Sequence, residues 1–256
     1  MRIGSWNVNS LRMRLESIKK WLVQEKIDIA LLQETKIVDE LFPQIEFKEL
    51  GYEGAFWGQK AYNGVAILSR WPFTSISRQD FLTHGQARYI EALTNGVRVA
   101  SIYVPNGKAV DDPAYQDKLM FMEQLVRHVA PYRCDLHTTV LGGDFNIALG
   151  DEDVYDPIRC TGNLLFSEPE RRVLKKLVYH GWVDSITTQS KKKNPFTWWD
   201  YRGRAFQRDA GLRIDYCFLS PWAADRLVDS GVSFQWRGEQ SPSDHTPTWV
   251  ELSLTP

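Results

Sequence analysis

Cysteine is nearly missing: Cys134, Cys160 and Cys217 are the only three, widely spaced and odd in number. That argues against a disulfide framework, and no C-x-x-C pair offers a zinc site. Reduced thiols in a cytoplasmic protein are the expectation. Surplus charge of one sign is missing too, since 31 Lys and Arg against 32 Asp and Glu leave a net charge of −1. No global positive field draws the chain to nucleic acid, and any such binding has to come from local basic patches. No apolar run approaches the roughly 20 residues of a membrane span, and residues 1–6 lack the apolar stretch of a secretory signal. No membrane partner is expected. No linker rich in Pro, Gly or Ser divides the chain, and no short repeat recurs. Residues 1–256 are read as one domain.

What is present is apolar and aromatic, 43% and 12% of 256 residues, enough to bury one sizeable core. Short apolar runs alternate with segments of helical period, which is an α/β pattern. Strands are expected at 2–7, 27–33, 64–68 and 97–104, the last halted by Pro105, which cannot donate to a ladder. Further strands are expected at 138–141, closing on Gly142-Gly143, and at 212–219. Val250, Leu252 and Leu254 alternate with Trp249, Glu251 and Ser253, as a half-buried final strand would. Leu11, Leu15, Ile18 and Leu22 recur at helical spacing behind Ser10, a natural N-cap. Leu119, Met122, Leu125, Val126 and Val129 mark a second helix. A third opens on Ser167-Glu168-Pro169-Glu170, a capping box with an early proline, and Gly181 is placed to end it. The stretches 142–166 and 187–211 look irregular, and long loops in a compact domain are more often functional than idle.

The polar residues fall where strands end. Asn7 and Asn9 close the first run, and Glu34 closes the second. Tyr103 precedes Pro105-Asn106-Gly107, and Asp144 and Asn146 follow Gly142-Gly143. Ser243-Asp244-His245 comes just before the last strand. In open α/β sheets ligands gather beyond strand ends, so these positions are candidates for one pocket. Each alone also has a structural explanation: a turn cap at Asn7, a helix-start carboxylate at Glu34, ordinary turn chemistry at Gly-Gly-Asp and Ser-Asp-His. Asp215 is different. Flanked by Ile214, Tyr216 and Phe218, its carboxylate is costly unless it is paired or functional.

Seven blocks resemble, in order and at similar spacing over essentially the whole chain, the signature of the exonuclease III / AP endonuclease family. They are Trp6-Asn7-Val8-Asn9, Leu32-Gln33-Glu34-Thr35-Lys36, Gly64-Val65-Ala66-Ile67-Leu68-Ser69, Tyr103-Val104-Pro105-Asn106-Gly107, Gly143-Asp144-Phe145-Asn146, Leu212-Arg213-Ile214-Asp215-Tyr216 and Ser243-Asp244-His245. The resemblance implies a four-layer α/β sandwich, two packed mixed β-sheets flanked by helices. It also implies Mg2+-dependent cleavage of DNA backbones, with Mn2+ as the alternative ion. The partner would be double-stranded DNA with abasic sites or 3′ ends, and the protein a monomer.

Hydrolysing a phosphodiester needs a basic nucleophile, charge stabilisation on the phosphate and help for the leaving alkoxide. By resemblance the metal set is Asn7, Glu34, Asp144, Asn146, Asp244 and His245, with Glu34 the principal ligand. The catalytic set is Tyr103, Asp144, Asn146, Asp215 and His245, with Asp215 orienting His245. Either Asp144 or His245 is the general base. Asn106 would contact the phosphate, Arg202 would bind the backbone, and Trp198, Leu212 and Ile214 would wall a pocket for a base-free deoxyribose.

Residues 187–211 resemble the family's DNA-facing loop, with Lys191, Lys192 and Lys193 ahead of Phe196-Thr197-Trp198-Trp199 and then Arg202, Arg204 and Arg208. Basic charge binds phosphate, and interleaved aromatics stack on or shelter an extruded sugar; a solvated basic loop over an aromatic cluster is the plain alternative. Two departures from the family pattern stand out: Ala87-Arg88 replaces its Gly-Arg pair, and Ala114-Tyr115 stands where it has a lysine before the helix. A phosphatase of the wider superfamily acting on a non-DNA substrate would share Glu34, Asp144 and His245 but not this loop. A nucleic-acid-binding module without catalysis would have lost a ligand or base, and none is missing.

Overall fold

The computed structural model describes residues 1–135, 137–189 and 195–253. Among them, twelve strands form two six-stranded sheets. The first sheet holds β1 (Arg2–Asn7), β2 (Ile29–Gln33), β3 (Glu53–Trp57) and β4 (Val65–Ser69), completed late in the chain by β11 (Leu227–Val232) and β12 (Thr248–Leu252). Its order is β11-β12-β1-β2-β4-β3. The second holds β5 (Phe73–Arg78), β6 (Tyr89–Thr94), β7 (Val97–Tyr103), β8 (Thr138–Asp144), β9 (Val183–Asp184) and β10 (Asp215–Leu219), in the order β5-β6-β7-β8-β10-β9.

Side-chain alternation separates the layers. Ile29 and Leu31 of β2 and Val65 and Ile67 of β4 point between the sheets, where they meet Val97, Val99 and Val140. The alternate residues Ala30, Leu32, Ala66 and Leu68 face outward onto α1 (Leu11–Gln24) and α2 (Gln44–Glu49) through Ile18, Trp21, Leu22 and Phe47. On the far side α3 (Pro113–Val129) and α5 (Glu168–Tyr179), with the short α4 (Pro157–Cys160) before α5, flank the second sheet. There Phe121, Met122, Leu125, Leu174 and Leu177 cover Ala100, Ile102 and Leu141. The expected four-layer sandwich is observed. Strands buried on both faces read as continuous apolar runs, which is why β2 and β4 are plain in the sequence.

Some expectations are corrected. Gly142-Gly143 does not end the strand; β8 continues through both to Asp144. A Cβ on Gly142 would lie 2.5 Å from Leu31 Cδ1 of the facing sheet, and one on Gly143 would lie 2.0 Å from the Ile102 carbonyl. These glycines permit close approach rather than a turn. Ser10 stands at the N-cap of α1 without a side-chain cap bond. The Ser10 and Leu11 amides instead donate to the Glu34 and Thr35 carbonyls at 2.8 and 3.1 Å. The ladder expected from 212 begins at Asp215, with Leu212 making only isolated bridges to Val154 and Trp198. The capping box of α5 is present as expected, and Gly181 follows its end with φ +93°. Leu254 lies outside the described residues. No helix among them is long and apolar enough to cross a membrane.

Register carries the polar residues to one end of the sandwich. Asn7 pairs with Gln33 across the parallel β1–β2 ladder, which leaves Glu34 one residue further out. In the second sheet Tyr103, Asp144 and Asp215 are direct partners across β7, β8 and β10. β12 runs antiparallel to β1 with Ser5 opposite Thr248, so Asp244 and His245 lie just past the same end.

Candidate active site

Asn7 sits at the centre, fully buried at the tip of β1. Its Nδ2 donates to Glu34 Oε1 at 2.8 Å and to Asp144 Oδ2 at 2.9 Å. One amide therefore holds two carboxylates from different sheets. Its own Oδ1 accepts from the Asn9 amide at 3.0 Å, which fixes the orientation of the side chain. The second oxygen of Glu34 accepts Lys36 Nζ at 2.8 Å. Glu34 and Asn146 both adopt left-handed backbone, φ 50° and 51°, a strained setting that clusters at functional sites.

His245 enters from the other side. Its Nδ1 lies 2.8 Å from Asp215 Oδ2, while Nε2 faces Asp144 Oδ2 at 3.7 Å. Thr197 makes this approach possible. Its hydroxyl accepts from the Ile214 and Asp215 amides at 3.1 Å, and its carbonyl accepts from the Thr246 amide at 2.8 Å. Burial disfavours the imidazolium, but Asp215 and Asp144 outweigh it and hold the His245 pKa at about 10. Burial acts most strongly on Asp144, with Asp215 and Glu34 adding to it against the attraction of His245. Its pKa rises to about 7. The buried carboxylate is thus poised near neutrality beside a ring that stays charged.

Glu34, Asp144 and His245 each bring a ligand atom, all within 4.8 Å of one another. Asp244 stands beside them with both oxygens engaged, Oδ1 by Asn9 Nδ2 at 2.9 Å and Oδ2 by Trp198 Nε1 at 3.0 Å. Burial works against its charge, but His245 and those two donors keep its pKa below the usual carboxylate range. Asn146 links the carboxylates to the Asn106 loop. Its Nδ2 donates to Asp144 Oδ2 at 3.2 Å and its Oδ1 accepts Asn106 Nδ2 at 3.1 Å. Burial, then Glu34 and Asp144, raise the Tyr103 phenol far above its usual range, so it remains an O–H donor.

These groups open into a cleft of about 150 Å³ whose apolar side is Trp198, Leu165 and Ile214. Leu212 packs behind that wall. Of the residues singled out in the sequence, Asn7, Glu34, Tyr103, Asn106, Asp144, Asn146, Trp198, Leu212, Ile214, Asp215, Asp244 and His245 converge here. Arg202 does not: it is exposed and paired with Asp200 at 2.8 Å. Lys191, Lys192 and Lys193 lie outside the described residues. Sequence reasoning missed Leu165, which carries no chemical signal in its loop, and Lys36, visible only as a letter in its motif. It also missed Lys118, which lies inside α3 and not ahead of it. Arg88, the retained half of the pair in which Ala87 is the departure, stacks over Tyr103 at 4.7 Å.

Residues 4–245 match the model of the Endonuclease/Exonuclease/phosphatase family, and the chain belongs to that family. Its kinship lies with the exonuclease III and AP endonuclease members that the seven blocks resemble. It is 31% identical to exodeoxyribonuclease III of Haemophilus influenzae over 98% of this chain and 100% of that one. Among solved structures it is similar to a 3′ phosphatase from Neisseria bound to a product DNA hairpin, with a TM-score of 0.96, 37% identity and 99% of both chains covered. It is also similar to an AP endonuclease from Archaeoglobus fulgidus, with a TM-score of 0.93 and 34% identity over 99% of this chain and 100% of that one.

Proposed function

We propose that the chain is a divalent-cation-dependent DNA repair phosphodiesterase, acting as a monomer in the cytoplasm on double-stranded DNA. Its targets are the phosphoester 5′ to an abasic site and those at 3′ ends, with Mg2+ as the cation and Mn2+ as substitute. The observation that carries this reading is the meeting of Glu34, Asp144 and His245 within 4.8 Å at one mouth of the fold. The donor set fits a hard cation: carboxylate oxygens from Glu34 and Asp144, held side by side by Asn7. His245, held at Nδ1 by Asp215 and charged in the metal-free protein, faces the phosphate rather than the cation. When bound, such a cation supplies Lewis-acid stabilisation of charge on the phosphate and the leaving alkoxide.

The chain's own groups divide the remaining work. Asp144, set between Asn7 and Asn146 and raised towards neutrality in the metal-free protein, takes the proton of the attacking water. Asn146 holds Asp144 in orientation, and Asp215 holds His245 so that Nε2 points into the cleft. The His245 cation and the Tyr103 hydroxyl donate to phosphate oxygens, a preorganised set that need not rearrange as charge develops. Trp198, Leu165 and Ile214 bound a space too small for a nucleotide that keeps its base, which favours a base-free sugar or a chain terminus.

A time course on three end-labelled duplexes tests this reading: an internal abasic analogue, a recessed 3′ end and a 3′-phosphate nick, each with magnesium and with chelator. Metal-dependent cleavage of at least one, abolished by chelator, is expected. Faster cleavage of a phosphoinositide headgroup than of any DNA would replace the substrate class.

A further inference from the structure

Lys118 is fully buried in α3, beneath the floor of the cleft. A lysine ammonium has three donors, and here each has one acceptor. Two are backbone carbonyls, Asn106 at 3.0 Å and Asn146 at 2.6 Å, and the third is the carboxylate of Glu170. Glu170 in turn accepts from the Leu165 amide at 3.1 Å and from the Ser167 amide at 3.0 Å. Asn106, Asn146 and Leu165 all line the cleft, and each comes from a different loop. The Lys118 stem also runs under Gly107, where a Cβ would meet its Cδ at 3.2 Å. Burial pulls the Lys118 pKa down against the pull of Glu170.

We propose that Lys118 is a positioning residue for the hydrolytic reaction, tying the Asn106, Asn146 and Leu165 loops into one cleft floor and thereby setting where Asn146 presents Asp144 to the substrate. This rests on the nuclease reading. A buried ammonium needs an acceptor for each of its three donors, and here two of those acceptors are the carbonyls of residues whose side chains bond each other at 3.1 Å. Moving either carbonyl moves the Asn106–Asn146 contact, and through it the Asn146 bond to Asp144. Displacement of about 1 Å in such a set can cost about a hundredfold in rate.

The test uses the double variant Lys118→Met with Glu170→Gln, because removing one partner alone strands a buried charge and risks unfolding. The control is Leu125→Ala on the same helix, a core truncation that leaves Lys118 and its three acceptors in place. Two readouts are taken at a temperature where circular dichroism shows every protein folded: kcat and KM on DNA with magnesium, and the side-chain amide NMR resonances of Asn106 and Asn146 without metal. The double variant is expected to lose tenfold to a hundredfold in kcat with KM changed by less than about threefold, and to shift both amide resonances. Leu125→Ala is expected to match the parent in both. Unmoved resonances overturn the proposal whatever the parent cleaves, as does parental kcat alongside moved resonances. If the parent cleaves no DNA while the resonances move, the nuclease reading fails and the tie to the cleft floor stands.

Discussion

His245 is clamped between two carboxylates, with Nδ1 2.8 Å from Asp215 Oδ2 and Nε2 3.7 Å from Asp144 Oδ2. The two contacts are unequal. The first is a hydrogen bond that fixes the ring; the second is a charge contact too long for a hydrogen bond. Asp215 is therefore the partner that orients the ring, and under the proposed function Asp144 is the one available for proton transfer.

Replacing Asp215 with Asn removes the charge and keeps the shape. The His245 pKa should then fall from about 10 towards its ordinary value near 6.5. Cleavage at pH 7.5 should drop by about 10²–10⁴-fold, as when a catalytic histidine loses its carboxylate. NMR titration of the ring together with single-turnover rates checks this.

Asp144→Asn removes the proposed base while leaving an amide that Asn7 and Asn146 can still bond. A loss of about 10²–10⁴-fold in kcat is expected, with DNA affinity equal to or tighter than the parent because one negative charge beside the phosphate is gone. Equilibrium binding and single-turnover rates separate the two effects. Parental kcat would exclude Asp144 as base.

The two raised pKa values set the sign of the pH dependence. Asp144 rises from 3.8 to about 7, so the stability tied to its bound proton is complete below pH 3.8 and lost as pH climbs through 7. His245 rises from 6.5 to about 10, so its contribution is complete below pH 6.5 and lost through pH 10. Both losses run the same way, and the metal-free protein should weaken from pH 6 to 9. A cation that competes with these protons stabilises most where they are absent. The rise in Tm on adding magnesium should thus be larger at pH 8.5 than at pH 6, and the acid limb of kcat/KM should move to lower pH as magnesium is raised. Differential scanning calorimetry and pH–rate profiles at two magnesium concentrations check both.

Trp198→Ala opens the apolar side of the cleft and frees Asp244 Oδ2 from its 3.0 Å bond. Activity on a base-free sugar should fall by about tenfold or more, and discrimination against base-bearing nucleotides should narrow, since shape alone enforces it. Competition between abasic and intact duplexes measures that ratio.

Gly143→Ala tests the fold beneath the site. The added Cβ would lie 2.0 Å from the Ile102 carbonyl, a backbone atom of a paired strand that cannot swing aside. A loss of about 1–3 kcal/mol is expected, read as a lower urea midpoint. No loss would mean that β7 and β8 can separate.

The layers and the mouth of the site were legible because two-sided burial writes continuous apolar runs, and because the polar residues of the site stand at or just past strand ends. Asp215 announced itself as a carboxylate among apolar neighbours, and its partner proved to be His245. The edge strand β5 was not legible: its residues are mostly exposed, so no core face patterns them. Gly142 and Gly143 read as a turn because close approach between strands leaves no local mark in sequence. Lys118 escaped for a related reason. A lysine on a helix is ordinarily solvated, and only the fold shows three acceptors meeting around it.

The central claim is a cation held by Glu34 and Asp144 at the mouth of the sandwich. Anomalous diffraction from crystals soaked in Mn2+ tests it most directly. The account predicts a peak bonded to a Glu34 carboxylate oxygen, within reach of Asp144, that disappears in Glu34→Gln. A peak at another place on the molecule, or the same peak in Glu34→Gln, would contradict it.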